Sequence, residues 1–356
     1  MITPLAHRTA TLNSYAFWNN KGGVGKSYLC FIASCEYARR YPETDVYVID
    51  LCPQGNVSET LLGGYESSPA VLGKLTGGNP RRTIAGYLES RLSSPFRQLD
   101  DVSPFITRPV KYNKNVPDNL YLICGDNLLE ILSEAIRQTS QLSIPTDAWK
   151  QVIEWVKDLT FALSLRSGDR DSVFMVDCNP SFAIYTQLGL AATRNIVVPF
   201  TADDSSRRAI ENVVALAYGI GDQHVAAYSR INFSKRAKEE QVEVPLLHTF
   251  VSNRVTLYDG KPSRAFQAVA STIERTLEGI HQRHRSIFAN SGVKPSKSFI
   301  TVPDYHSACI VSAMTGTPLD KLVAGPRKLA GVDFVQVNKE PLDRYREALE
   351  KFVDAL

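Results

Sequence analysis

An apolar run, Tyr15–Trp18, leads directly into Asn19-Asn20-Lys21-Gly22-Gly23-Val24-Gly25-Lys26-Ser27, and that turn leads directly into a helical pattern, Tyr28–Arg40. Few folds accept a turn of this kind between a strand and a helix. Gly22, Gly23 and Gly25 let the backbone curl so tightly that successive N–H groups face one point. The helix that follows adds the positive end of its dipole. In this context the turn is a polyphosphate cradle, with Lys26 on the terminal phosphates and the Ser27 hydroxyl oxygen offered to Mg²⁺. A glycine-rich turn with an incidental Lys-Ser would not place strand, turn and helix in register.

The rest of the chain repeats the strand-helix rhythm. Short apolar runs at Val46–Ile49, Leu120–Ile123, Val173–Val176, Ile196–Val198, Leu247–Val251 and Phe299–Val302 read as strands. Several are apolar throughout, as strands covered by helices on both faces must be. Helical patterns lie at Leu128–Gln138, Thr146–Leu165, Ser205–Tyr218, Ser263–His281 and Leu342–Leu356. The fold class expected is α/β, a mostly parallel doubly wound sheet flanked by helices, in one domain over residues 1–356. Gly63–Asp118 breaks the rhythm with two Gly-Gly pairs, scattered prolines and one credible helix, Thr83–Leu92. It reads as an insertion on the sheet edge or above the site.

Lys and Arg number 40 against 37 Asp and Glu, a formal charge of +3, so contact with nucleic acid must come from a local patch. The six cysteines form no C-x-x-C pair and no zinc spacing. They read as reduced thiols. Nothing at the N-terminus reads as a signal peptide, and no apolar run nears the ~18 residues of a membrane span. A soluble, cytoplasmic chain is expected.

The general phosphate-loop pattern wants glycine where this chain has Asn20, and the loop carries an additional lysine, Lys21. Lys-Gly-Gly-Val-Gly-Lys-Ser resembles the deviant Walker A motif of the ParA/MinD family of dimerising P-loop ATPases. The resemblance implies ATP and Mg²⁺ as cofactors, with Gly22, Gly23, Val24, Gly25, Lys26, Ser27 and Tyr28 around the nucleotide. It implies a nucleotide-sandwich homodimer in which Lys21 reaches the partner's phosphates, as a trans-acting arginine finger would. Asp50-Leu51-Cys52-Pro53-Gln54-Gly55-Asn56 is similar to the family's switch I, and Val173–Ser181 to its Walker B strand and switch II. Asp50 and Asp177 are then expected near the metal with Ser27, and Lys21, Lys26 and Asp50 as the catalytic set. Asn253 and Pro303 match positions that edge the base; Asn253 as a strand-end cap is the competing reading.

One departure bears on turnover. The second switch I aspartate, which in the family positions the attacking water, is Cys52 here. A thiol is a weak hydrogen-bond partner, and losing a positioned base costs roughly 10²–10⁴ in rate. Asp177, Asp203 or Asp204 are rival carboxylates, and a nucleophilic Cys52 is the exotic alternative. A slow ATP-held regulatory switch therefore stands beside the ParA-like partition ATPase, and a metabolic ligase of the same superfamily stands as a third reading.

Two stretches bear on partners. Between Gly279 and Pro303 there is no acidic residue, while Arg283, Arg285, Lys294 and Lys297 lie there with His281 and His284. They are candidates for nonspecific DNA contact, which would associate the protein with the nucleoid; a solvated loop after a helix C-terminus is the plain alternative. Arg230, Lys235, Arg236 and Lys238 form a weaker patch because Glu239 and Glu240 follow. The C-terminal stretch Glu340–Leu356 alternates acids and bases and reads as a packing helix, not a membrane foot. With only fourteen residues before the first strand, an operator-reading helix-turn-helix is not expected there. An activating partner protein is implied by the resemblance without being identified.

Overall fold

The computed structural model describes residues 13–201, 203–221, 233–255, 257–258, 261–329 and 331–356. The strands are β1 (Asn13–Phe17), β2 (Thr44–Leu51), β3 (Ile106–Thr107), β4 (Leu120–Ile123), β5 (Asp171–Cys178), β6 (Asn195–Phe200) and β7 (Leu246–Val255). A short ribbon, β8 (Leu257–Tyr258) with β9 (Lys261–Pro262), precedes β10 (Phe299–Pro303), and β11 (Gly325–Leu329) pairs with β12 (Val332–Val337). The central sheet has eight strands in the order β10-β7-β6-β1-β5-β2-β4-β3. All pair in parallel except the edge strand β3, antiparallel to β4. The α/β class, the parallel sheet and all seven expected strands are present.

The helices are α1 (Lys26–Arg40), α2 (Asn56–Leu61), α3 (Gly64–Thr76), α4 (Ile84–Ser93), α5 (Leu128–Thr139), α6 (Ala148–Ile153) and α7 (Trp155–Ser167). After them come α8 (Ile184–Ala191), α9 (Asp204–Tyr218), α10 (Phe233–Glu239), α11 (Arg264–Arg283), α12 (His306–Thr315) and α13 (Lys339–Asp354). Strand side chains alternate between two cores. Tyr15, Phe17, Val46 and Val48 pack under α1, α12 and α13, while Ala16, Trp18, Tyr47 and Ile49 pack under the helices of the other face. Both faces being covered explains why the strands are apolar without alternation.

Three stretches differ from the periodicity. Thr146–Leu165 is two helices that break at Glu154, where the bend turns Trp155 into the core and its indole N–H donates to the Pro95 carbonyl at 2.9 Å. Asn56–Leu61 and Gly64–Thr76 are helical although Gly63, Gly64 and Pro69 read as breakers. Tertiary contact overrides propensity there: Gly64 and Gly316 sit back to back, and a Cβ on Gly64 would lie 2.1 Å from the Met314 carbonyl oxygen. Residues 63–118 thus supply α3, α4 and the edge strand β3.

α13 is the packing helix expected at the C-terminus: Leu342, Tyr345, Leu349, Phe352 and Val353 are buried, and Asp354 pairs with Arg40 of α1 at 2.5 Å. Among the described residues no helix is long and apolar enough to cross a membrane.

Candidate functional site

In a parallel sheet every strand delivers its carboxyl end to the same edge, and ligand chemistry collects there. Here β1 delivers the phosphate loop, β2 the 52–58 loop, β4 Gly125, β5 Asp177 and β6 Asp203. The phosphate loop, the loops after β2 and β5, and the end of α12 border a cavity of about 620 Å³ lined by Gly22, Gly23, Gly25, Lys26, Ser27, Tyr28 and Cys52 among others. A cavity of that size is ordinary for a small-molecule ligand.

The loop itself is prepared for an anion. Gly23 and Gly25 take left-handed backbone, with φ of 75° and 85°. Gly25 caps α1 without any side-chain hydrogen bond, so the first N–H groups of the helix remain open. Cβ positions on Gly22 and Gly23 would meet nothing within 4 Å, leaving the cradle clear. Val24 is fully buried, and its carbonyl accepts from Asn253 Nδ2 at 2.9 Å. A side chain on Gly25 would strike that amide at 2.3 Å. Asn253 therefore holds the phosphate loop from beneath. Neither it nor Pro303, both read from the resemblance as base contacts, is among the residues lining the cavity; Arg254 is.

Both loop lysines are turned inward. Lys26 Nζ donates to the Lys21 carbonyl at 3.0 Å, and burial lowers its pKa against the pull of Asp177. Lys21 Nζ is bound to Asp203 and donates to Thr201 Oγ1 at 3.3 Å and Ser206 Oγ at 3.4 Å. Asp203 is also the N-cap of α9, accepting from the Ser205 amide and from the Thr201 hydroxyl. Burial raises its pKa, but the bonds from Lys21, Ser205 and Thr201 outweigh that and hold it well below the usual carboxylate range. The lysine expected to reach a partner is thus docked on its own chain, and Asp203 is committed to it rather than free as a base. The side chain of Asp204, the other rival, lies outside the described residues, as does Arg230.

Two carboxylates lie side by side on neighbouring strands: Asp50 of β2 is in register with Asp177 of β5, and both are fully buried. They are served very differently. Asp50 Oδ1 accepts from the Cys52 amide at 3.0 Å, and Oδ2 accepts from the Ser58 amide at 3.1 Å and the Ser58 hydroxyl at 2.6 Å. Burial still raises its pKa, to about 6. Ser58 in turn accepts from the Gly125 amide at 2.8 Å, and a Cβ on Gly125 would lie 2.6 Å from the Asp50 carboxyl carbon. Asp50 is the buried peg on which the 52–58 loop is hung.

Neither oxygen of Asp177 has a hydrogen-bond partner among the described residues. Burial and the charge of Asp50 push its pKa up to about 8, with Ser27 and Lys26 pulling the other way. A buried, unpartnered carboxylate is costly unless a cation or a proton accompanies it. Asp177 with Ser27 fits the donor set of Mg²⁺, which takes one or two protein oxygens and completes its shell with phosphate and water.

Cys52 is buried on the cavity wall, and Asn179 Nδ2 donates to its sulfur at 3.8 Å. Burial, with Asp50 and Asp177 nearby, pushes the thiol up to about 12, so it stays protonated. The shift runs against a nucleophilic role, since the thiolate is the reactive species.

The basic candidates Arg283, Arg285, Lys294 and Lys297 are exposed, and none has an ion-pair partner among the described residues. The turn Pro295–Ser298 packs against α11, which carries Arg283. His281 is not part of this surface: it is buried, with Nε2 3.1 Å from the Ser291 carbonyl oxygen and its ring edge-on to Phe288. In the weaker patch Lys235 pairs with Glu239 and Arg236 with Glu240.

No protein-family model matches the chain. Two uncharacterized proteins of Mycobacterium tuberculosis, from strains CDC 1551 and H37Rv, are each 27% identical over 199 residues, 55% of this chain and 48% of theirs. The chain thus matches about half the length of these curated relatives. Among solved structures, a Borrelia burgdorferi plasmid partition protein bound to AMPPNP is similar at 15% identity and a TM-score of 0.55, over 97% of this chain and 100% of that one. Apo McdA of Cyanothece is similar at 12% identity and a TM-score of 0.54, over 95% and 99%. A Corynebacterium diphtheriae protein is similar at 16% identity and a TM-score of 0.57, over 86% and 97%. The chain shares its fold with these proteins, over nearly its whole length in the Borrelia and Cyanothece cases.

Proposed function

We propose that this chain is a ParA-like ATP-dependent switch. It binds ATP with Mg²⁺ in the cavity behind Gly22–Ser27, pairs with a second copy across the nucleotide, and in that state holds DNA or a protein cargo. The observation that carries the reading is the conjunction at one strand edge of an open α1 N-terminus, a buried Lys26 and an unpartnered Asp177. A triphosphate with its Mg²⁺ satisfies all of these groups together, the anion facing the amides and Lys26 and the cation facing Asp177. AMPPNP and ATP in the Borrelia and Cyanothece proteins support the ligand assignment.

The residues divide the work. The Gly22–Gly25 amides and the α1 dipole hold the phosphates, and Lys26 exchanges the Lys21 carbonyl for phosphate oxygens. Asp177 and Ser27 would hold Mg²⁺, which would supply charge neutralisation to the phosphates. Asp50 fixes the 52–58 loop, so that the cavity wall carrying Cys52 keeps its shape. Lys21 leaves Asp203 and gives its ammonium to the partner's phosphates. Cys52 supplies no proton acceptor for an attacking water, so hydrolysis is slow and the bound state long-lived. That favours a clamp that is reset by nucleotide loss or by a partner protein.

Light-scattering mass measurement of wild type, Lys21→Ala and Lys26→Ala with and without ATP and Mg²⁺ tests the reading. ATP-dependent dimers of wild type, lost in both variants, are expected. A wild type that stays monomeric at saturating ATP contradicts it.

A further inference from the structure

Besides the phosphate loop, the cavity is walled by Tyr65 at the start of α3 and by Ala313 and Met314 near the end of α12. Tyr65 borders the cavity and is 62% exposed, so its ring is not spent on the core. Its position is nonetheless tightly fixed. Gly64, the residue before it, lies with its backbone against the Met314 carbonyl, so close that a Cβ would come within 2.1 Å. Gly316 approaches the Thr60 carbonyl in the same way, at 2.4 Å. Asn113 clamps the junction by donating to the Leu61 carbonyl at 3.2 Å and the Gly316 carbonyl at 2.7 Å. The tyrosine ring and the methionine thioether thus belong to two backbones locked together at glycines, and both border the space that holds the phosphate loop.

We infer that Tyr65 and Met314 form the base-recognition wall of this cavity, Tyr65 as a stacking face for a purine ring and Met314 as its polarizable neighbour; this rests on the cavity being a nucleoside triphosphate site. A flat aromatic base has no use for the polar loop that holds its phosphates. It needs an apolar face, and aromatic rings supply one without regard to hydrogen-bond pattern. Asn253 is spent on Val24, and Pro303 is buried away from the cavity lining, whereas Tyr65 lines the cavity and is largely exposed. The aromatic half of the wall, Tyr65, comes from residues 63–118, so the segment that interrupts the strand-helix rhythm acquires a role in ligand choice.

Calorimetric titration with ATP and, separately, with inorganic tripolyphosphate, both with Mg²⁺, tests the assignment on wild type, Tyr65→Ala and Tyr65→Phe. Tyr65→Ala is expected to weaken ATP about tenfold, to leave tripolyphosphate unchanged, and to be rescued by Tyr65→Phe. Equal loss of both ligands in Tyr65→Ala, or no loss of ATP, overturns the base wall while leaving the phosphate site standing. Wild type binding neither ligand overturns the nucleotide reading itself, and the wall with it.

Discussion

Lys21 and Asp203, 182 residues apart in sequence, are joined by an ion pair at the mouth of the phosphate loop. The pair occupies the lysine that a nucleotide-sandwich dimer would need. Its side chains are 24% and 46% exposed, so it is worth about 0.2–1 kcal/mol and is easily exchanged. Asp203→Asn keeps a capping side chain on α9 while releasing the charge. It is expected to move ATP-driven dimerisation to lower protein concentration by up to about fivefold, measured by analytical ultracentrifugation. Weaker dimerisation in Asp203→Asn would show that the pair is not a restraint.

Asp177 makes the apo fold sensitive to pH. Its folded pKa is raised, so the native state holds the proton more tightly than the unfolded chain. Stability falls as pH rises from the ordinary value of 3.8 through about 8. Asp50 adds to the same slope at lower pH. Asp177→Asn should melt above wild type at the alkaline end of this window and match it at the acid end, and should lose Mg²⁺-dependent nucleotide binding. A melting difference independent of pH speaks against the unpartnered carboxylate.

Restoring the acid at position 52 carries two opposed effects. Cys52→Asp is expected to raise ATP hydrolysis by roughly 10² or more if a positioned base is what turnover lacks. It also sets a third carboxylate beside Asp50 and Asp177, so the apo variant should melt lower than wild type. Phosphate release and thermal melting on the same preparation read both. An unchanged or slower rate refutes the account of slow turnover.

Much of this site was legible in residues 13–27, 46–56 and 173–181, because strand, glycine turn and helix obey local rules that a sequence displays. What was not legible is long-range. Nothing near Lys21 announces Asp203, and nothing near Asp50 announces that Ser58 and Gly125 close around it. The helix at Gly64–Thr76 was hidden because its glycines read as breakers, whereas they serve backbone contact with α12. Asn253, expected at the end of its strand, lies within β7, which runs on to Val255, and its amide is directed to Val24.

Ser58 is a direct check on that hidden layer. Ser58→Ala removes one donor from the buried Asp50 and the acceptor of the Gly125 amide. A loss of about 1–3 kcal/mol in unfolding free energy is expected by denaturant titration. A loss within a few tenths of wild type would mean that the cluster rearranges at no cost.

The exposed cations give a salt signature. If Arg283, Arg285, Lys294 and Lys297 meet phosphates, replacing Arg283 and Lys294 by alanine should flatten the slope of log affinity for duplex DNA against log salt by about 1.8. An unaltered slope assigns DNA contact elsewhere or nowhere.

The central claim is that the Gly22–Ser27 loop grips a triphosphate. Isothermal titration of the full chain with ATP and Mg²⁺ reads it most directly. Saturable binding of one nucleotide per chain, abolished in Lys26→Ala while the variant stays folded, is the predicted result. Absence of heat and of uptake by folded wild type would contradict it.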